Sequence, residues 1–314
     1  MKSPEISSPR VQPLFLLTPA FLAMAWLVAR ARWFWDHNPD LQFGYIVVLL
    51  CAYLFYESWV KHPRVEWRMR GWPLPLAMAG LAGLFLVQIY RAALGSSEVD
   101  AGVLALSVML VVAANLGFVF GWAGVKAFGM SFGFILIALP MPSTIQGIVV
   151  GGLQNLVAVV DTNLLNLMGI PATQVGSLIH LSEGTVGIDE ACSGIRSLQS
   201  TIMATVFIGY LSLRRFTFQA LLLVSGVVLA FVGNLIRSLY LCLTAHAHGM
   251  AAVKEVHDAA GWSILAFTAA GVILISWLFN RLDQQLLTPA KQDDSRAGGT
   301  PPSPDDQPGS GAVG

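Results

Sequence analysis

Hydrophobic positions in this chain run in long blocks rather than in narrow stripes. Crossing about 30 Å of hydrocarbon takes a helix of roughly 20 residues. Eight apolar blocks approach that length, at about 13–29, 43–60, 73–94, 101–121, 124–141, 193–213, 217–245 and 259–280. Two stretches break the pattern. Residues 143–170 mix Gln146, Gln154, Asn155, Asp161, Asn163 and Asn166 with Leu, Val and Ile, which predicts an amphipathic helix at the outer interface. Residues 175–181 and 185–188 are short β-prone runs around Ser182-Glu183-Gly184, which predicts a small β-hairpin. The expected fold is therefore an all-α polytopic membrane protein, with about eight transmembrane helices, an outer amphipathic helix and a β-hairpin. It is expected to form one domain over 1–287, followed by a disordered cytoplasmic tail over 288–314 rich in Pro, Gly, Ser and Asp.

Composition agrees. The 314 residues are 55% hydrophobic and 11% charged. A soluble domain carries roughly 25% charged residues, so a soluble enzyme is excluded. Lys+Arg and Asp+Glu both number 18, so the chain has no basic footprint for nucleic acid. The first block could be taken for a signal peptide, but with seven further blocks behind it a retained helix fits better.

Lys/Arg placement gives the expected orientation. With a cytoplasmic N-terminus, Lys61, Arg64, Arg68 and Arg70, then Lys126, then Arg214 and Arg215, and finally Arg281, Lys291 and Arg296 all fall inside. Glu98 and Asp100 fall outside, and the first connection is mixed. Both termini are then cytoplasmic.

On this topology three reactive side chains reach the same outer face. Cys192 stands where the chain enters the sixth block. A thiol at a helix N-terminus meets unpaired N–H groups that favour the thiolate. Arg196, one turn on, acts the same way, whereas Asp189 and Glu190 oppose it unless they orient an arginine. Arg237 lies in the outward half of the seventh block with Asn234 at i−3, and an intramembrane arginine normally faces a polar cavity. His257 opens the eighth block and can exchange protons near neutral pH. His180, His246 and His248 compete for that role on the same face. A metal site from His246, His248 and His257 is disfavoured, because no compact H-x-x-x-H pair is present, and no cofactor is expected. Cys51 and Cys242 lie inside apolar blocks and read as small hydrophobes.

At these positions the chain resembles the exosortase/archaeosortase family, and the bacterial branch in particular. The segment 190–197, Glu-Ala-Cys-Ser-Gly-Ile-Arg-Ser, is similar to its cysteine motif. Asn234-Leu-Ile-Arg237 is similar to its arginine motif, and His257 with Gly261 to its histidine motif. The segments 36–44 and 139–142 also look like family landmarks, although 36–44 departs from the commoner Ser-His-Gly form. The resemblance implies a membrane cysteine (thiol) protease or transpeptidase with a Cys-Arg-His triad and an acyl-enzyme intermediate. Its partners are implied to be exported proteins bearing a C-terminal sorting signal: a Pro-Glu-Pro-type motif, a transmembrane helix and a basic cluster (the PEP-CTERM arrangement). Membrane lipid surrounds the enzyme, and the acceptor nucleophile is left open. The rival reading is a transporter or scaffold that uses Arg237 to bind anions.

Overall fold

A computed structural model describes residues 14–61, 71–95, 97–188 and 194–297, with side chains throughout except at 39, 143, 194–197 and 286–297. The helices are α1 (Thr18–His37), α2 (Gly44–Lys61), α3 (Pro73–Leu94), α4 (Glu98–Gly133), α5 (Ser143–Gln146), α6 (Gly152–Leu167), α7 (Gly194–Ser212) and α8 (Phe216–Ala297). The strands β1 (Ala172–Val175), β2 (Leu178–Leu181) and β3 (Gly184–Gly187) lie between α6 and α7.

Six helices among the described residues are long and apolar enough to cross a membrane. The difference from eight has an identifiable origin. Two long elements each hold two of the expected spans, joined at a glycine with positive φ: Gly121 (φ 70°) in α4 and Gly249 (φ 79°) in α8. Only glycine adopts that conformation without strain, so each glycine turns the chain between two helical limbs. The sixth block is helical from Gly194 to Ser212, and Thr144–Leu167 is a further helix of spanning length and apolarity. The segment expected as an interfacial helix is thus itself long and apolar enough to span.

The chain forms two compact units. One comprises the residues up to Ser200 together with Asn234–Gly261; the other comprises Thr201–Gly233 and the chain from Trp262. In the first unit, α3 packs on α4 through small residues. A Cβ on Gly80 would come within 2.8 Å of Val111 Cγ2, and one on Gly83 would collide with the Ser107 hydroxyl. Meanwhile Met78, Leu81, Phe85 and Ile89 of α3 are exposed. Small residues facing a neighbouring helix and large apolar ones facing out form the pattern of a helix solvated by lipid. Arg91 and the buried Asp100 pair at the α3–α4 corner, where Ser97 and Asp100 form a capping box. Trp35 of α1 is 1% exposed, and its indole Nε1–H donates to the Ala138 carbonyl at 2.8 Å.

The sheet has the order β1-β2-β3, antiparallel throughout, with Thr173 opposite His180 and His180 opposite Thr185. The expected hairpin around Ser182-Glu183 is present as β2–β3. The run 175–181, expected as one strand, turns at Gly176 (φ 62°) and divides between β1 and β2. Asn166 ties α6 to the sheet: its Nδ2–H donates to the Ala172 carbonyl at 3.0 Å, and its Oδ1 accepts from the Ala172 N–H at 3.0 Å. Gln174 donates to Asn155 Oδ1 at 2.6 Å. Two of the polar residues that suggested an interfacial helix therefore hold the sheet.

The second unit packs the first limb of α8 against α7 and the second limb. Gly226 lies against Thr201 and Thr205, and Gly233 against Ile264 and Thr268. Asp283 is 1% exposed; it accepts from the Arg214 N–H at 2.9 Å and pairs with Arg215 Nε at 3.4 Å. The connection after α7 and the end of the last apolar block thus lie at the same end of this unit.

Candidate functional site

The Gly249 break assembles the site. It turns α8 so that Arg237, on the limb before it, and His257, on the limb after it, face one another. Arg237 Nη2 stands 3.2 Å from His257 Nε2 and 3.4 Å from the His257 carbonyl oxygen. A guanidinium can only donate, so His257 Nε2 accepts. That fixes the neutral tautomer with hydrogen on Nδ1, and Nδ1–H donates to Asp258 Oδ1 at 3.1 Å. The imidazole is held between a guanidinium and a carboxylate.

Gly261 makes room for the guanidinium. A Cβ there would lie 3.2 Å from Arg237 Nη2 and 3.5 Å from Cζ. Arg237 Nε is buried and has no hydrogen-bond partner among the described residues. Buried donors are nearly always satisfied, so this N–H is available to an acceptor. Asn234 lies one turn before Arg237 and is half-buried.

The other histidines are engaged elsewhere or stand apart. His180 Nδ1 lies 2.8 Å from Thr185 Oγ1 across the hairpin. His246 Nδ1 lies 3.3 Å from Glu183 Oε2, which ties the hairpin turn to the end of the first α8 limb. The Ser182 hydroxyl, and after it His246, hold the Glu183 carboxyl below its ordinary range. His248 is exposed on the last turn before Gly249. Among the described residues no three His, Cys, Asp or Glu side chains approach closely enough to hold a metal ion.

Cys192 and Glu190 lie outside the described residues, and Arg196 is described only as backbone at the start of α7. The chain reaches that segment directly from β3, whose flank forms a groove with the second α8 limb. The sequence reading did not single out Asp258, Lys254 or Asp161. Asp258 adjoins His257, and that adjacency is its signal. Lys254 is one turn before His257. Asp161 was read as part of a polar helix face, yet it is fully buried near the Ser238 hydroxyl beside Arg237, with neither carboxylate oxygen in a well-formed hydrogen bond among the described residues.

A family model described as transmembrane exosortase matches residues 35–274. The chain belongs to that family. No curated protein and no solved structure matches it. The matched range of this exosortase contains all of α2–α7, the sheet, α8 as far as residue 274, and Cys192, Arg237 and His257. Its apolar helices make it an integral membrane protein, and exosortases process exported substrates.

Proposed function

We propose that this exosortase is a membrane cysteine peptidase or transpeptidase that cleaves the C-terminal sorting signal of exported proteins. Its triad is Cys192, Arg237 and His257, on the outer face of the inner membrane. The observation that carries this reading is the Arg237–His257 pair at 3.2 Å, with a buried guanidinium N–H beside it that has no partner among the described residues.

The chemistry then follows from these groups. His257 Nε2 takes the Cys192 thiol proton as sulfur attacks the scissile carbonyl. Arg237 shifts its Nη2–H, with its Nε–H, onto the forming oxyanion. The tetrahedral adduct collapses with loss of the amine, which leaves with the proton held on His257, and a thioester remains on Cys192. The acceptor nucleophile, an amine, hydroxyl or water, gives its proton to His257 as it attacks the thioester, and sulfur is released as thiol. Asp258 and Asn234 orient His257 and Arg237, and Arg196 and Glu190 tune the thiol.

The test is processing of a membrane-anchored reporter that ends in a Pro-Glu-Pro-type motif, an apolar helix and a basic cluster. Wild type yields a shortened product, and Cys192→Ala yields none at equal membrane abundance. Wild-type processing by Cys192→Ala refutes the nucleophile. Product mass separates the two outcomes of the second step: a free carboxyl terminus marks hydrolysis and an added group marks transfer.

A further inference from the structure

The helical limb after Gly249 presents Met250, Val253, Lys254 and His257 on one side, at the spacing of a single helix face. Opposite lie Thr185, Val186 and Gly187 of β3, and between them runs an open groove of about 320 Å³. The approach depends on Gly184, where a Cβ would come within 2.7 Å of Met250 Cγ. Strand β3 is the outer strand of the sheet: one edge pairs with β2, and the other pairs with no strand among the described residues. Such an edge accepts an extended peptide through main-chain hydrogen bonds. Met250, Val253 and Val186 give the groove an apolar floor. Lys254 is the cation that lines it, is exposed, and has no ion-pair partner among the described residues. Asp258, one turn further on, is engaged by His257. An ammonium with no ion-pair partner among the described residues, in a groove that the imidazole also lines, favours an anionic group on the occupant.

We propose that this groove binds the substrate's extended segment beside its scissile bond as a strand along β3, with an acidic side chain of that segment at Lys254. The proposal rests on the peptidase reading above and adds a residue that selects the substrate.

The experiment uses the full-length enzyme in vesicles of neutral phosphatidylcholine. Three anchored reporters carry Glu, Gln or Lys at one position of the extended segment, and that position is walked residue by residue toward the apolar helix. At one position wild type should prefer Glu over Gln by about tenfold in kcat/KM. Lys254→Met should remove that preference by raising KM, with kcat within about twofold. Lys254→Glu should process the Lys reporter better than the Glu reporter, a reversal that a merely structural lysine cannot produce. Equal handling of all three reporters by wild type and both variants overturns the groove assignment while leaving the peptidase reading in place. An effect of Lys254 that appears only when anionic lipid is added assigns the lysine to headgroups and overturns it too. If wild type cleaves no reporter, both readings fall.

Discussion

Arg237 and His257 lie 20 residues apart in the chain, and their side-chain nitrogens meet at 3.2 Å because Gly249 turns the helix between them. The contact uses the planar fork of the guanidinium, with one N–H on the imidazole and another buried and without a partner among the described residues. A lysine offers a single point charge in place of that fork. Arg237→Lys should reduce reporter processing by about 100-fold or more, the scale of losing an oxyanion donor. Membrane abundance should stay normal, and unchanged kcat would remove Arg237 from the reaction.

Gly261 is held to glycine by the guanidinium above it, since a Cβ would lie 3.2 Å from Nη2. Gly261→Ala forces a shift of a few tenths of an ångström at the reacting centre, and Gly261→Val a larger one. We expect activity to fall by about tenfold for alanine and further for valine, because small misplacements are costly in catalysis. The melting temperature in detergent should barely change for alanine. A large drop in melting with retained specific activity would show that Gly261 serves packing instead.

Gly249 has φ 79°, and a Cβ placed there meets no heavy atom within 4 Å among the described residues outside its own stretch of chain, so the cost of alanine is conformational. Gly249→Ala should lower stability by about 1–3 kcal/mol through backbone strain alone, since φ 79° with ψ 172° is a conformation reserved to glycine. It should also loosen the Arg237–His257 contact. Thermal unfolding together with reporter processing checks both, and a variant with wild-type values in each would mean that the break needs no glycine.

The Glu183–His246 contact ties the β2–β3 turn to α8. The folded structure holds the Glu183 carboxyl below its ordinary range, chiefly through Ser182 and then His246. Its contribution is therefore present above the ordinary carboxylate range and is lost as pH falls through the lowered folded value. Amide exchange in β2 and β3 should quicken, relative to intrinsic rates, as pH is lowered through that window. Glu183→Gln should flatten the response, and an identical pH profile for the variant would count against the clasp.

Much of this was legible in the sequence, for physical reasons. Apolar blocks mark membrane helices directly: the block ending at 121 stops at the glycine that breaks α4, and the gap between the blocks 217–245 and 259–280 holds the glycine that breaks α8. Arg237 and His257 stood out because charged and titratable groups are costly beside hydrocarbon. Their direct contact was not legible, since it depends on the angle made at Gly249. The segment 143–170 misled in part. Its amides read as a face toward water or headgroups, but Asn155 and Asn166 bond to the sheet and Asp161 is buried. Side-chain composition shows that polar groups need partners and leaves open whether those partners are solvent or strand. Lys254 was invisible for the opposite reason: an exposed lysine carries no signal until β3 forms a groove beside it.

In the proposed mechanism the Cys192 sulfur bonds to the substrate's carbonyl carbon in a site shared with Arg237 and His257. Mass spectrometry of the enzyme after brief exposure to the reporter tests it most directly, using His257→Ala to slow release. The expected result is a hydroxylamine-sensitive adduct on the peptide containing Cys192, with the mass of the reporter's N-terminal fragment, absent from Cys192→Ala. Continued cleavage with no adduct at Cys192, or an adduct at Cys51 or Cys242 instead, would contradict it.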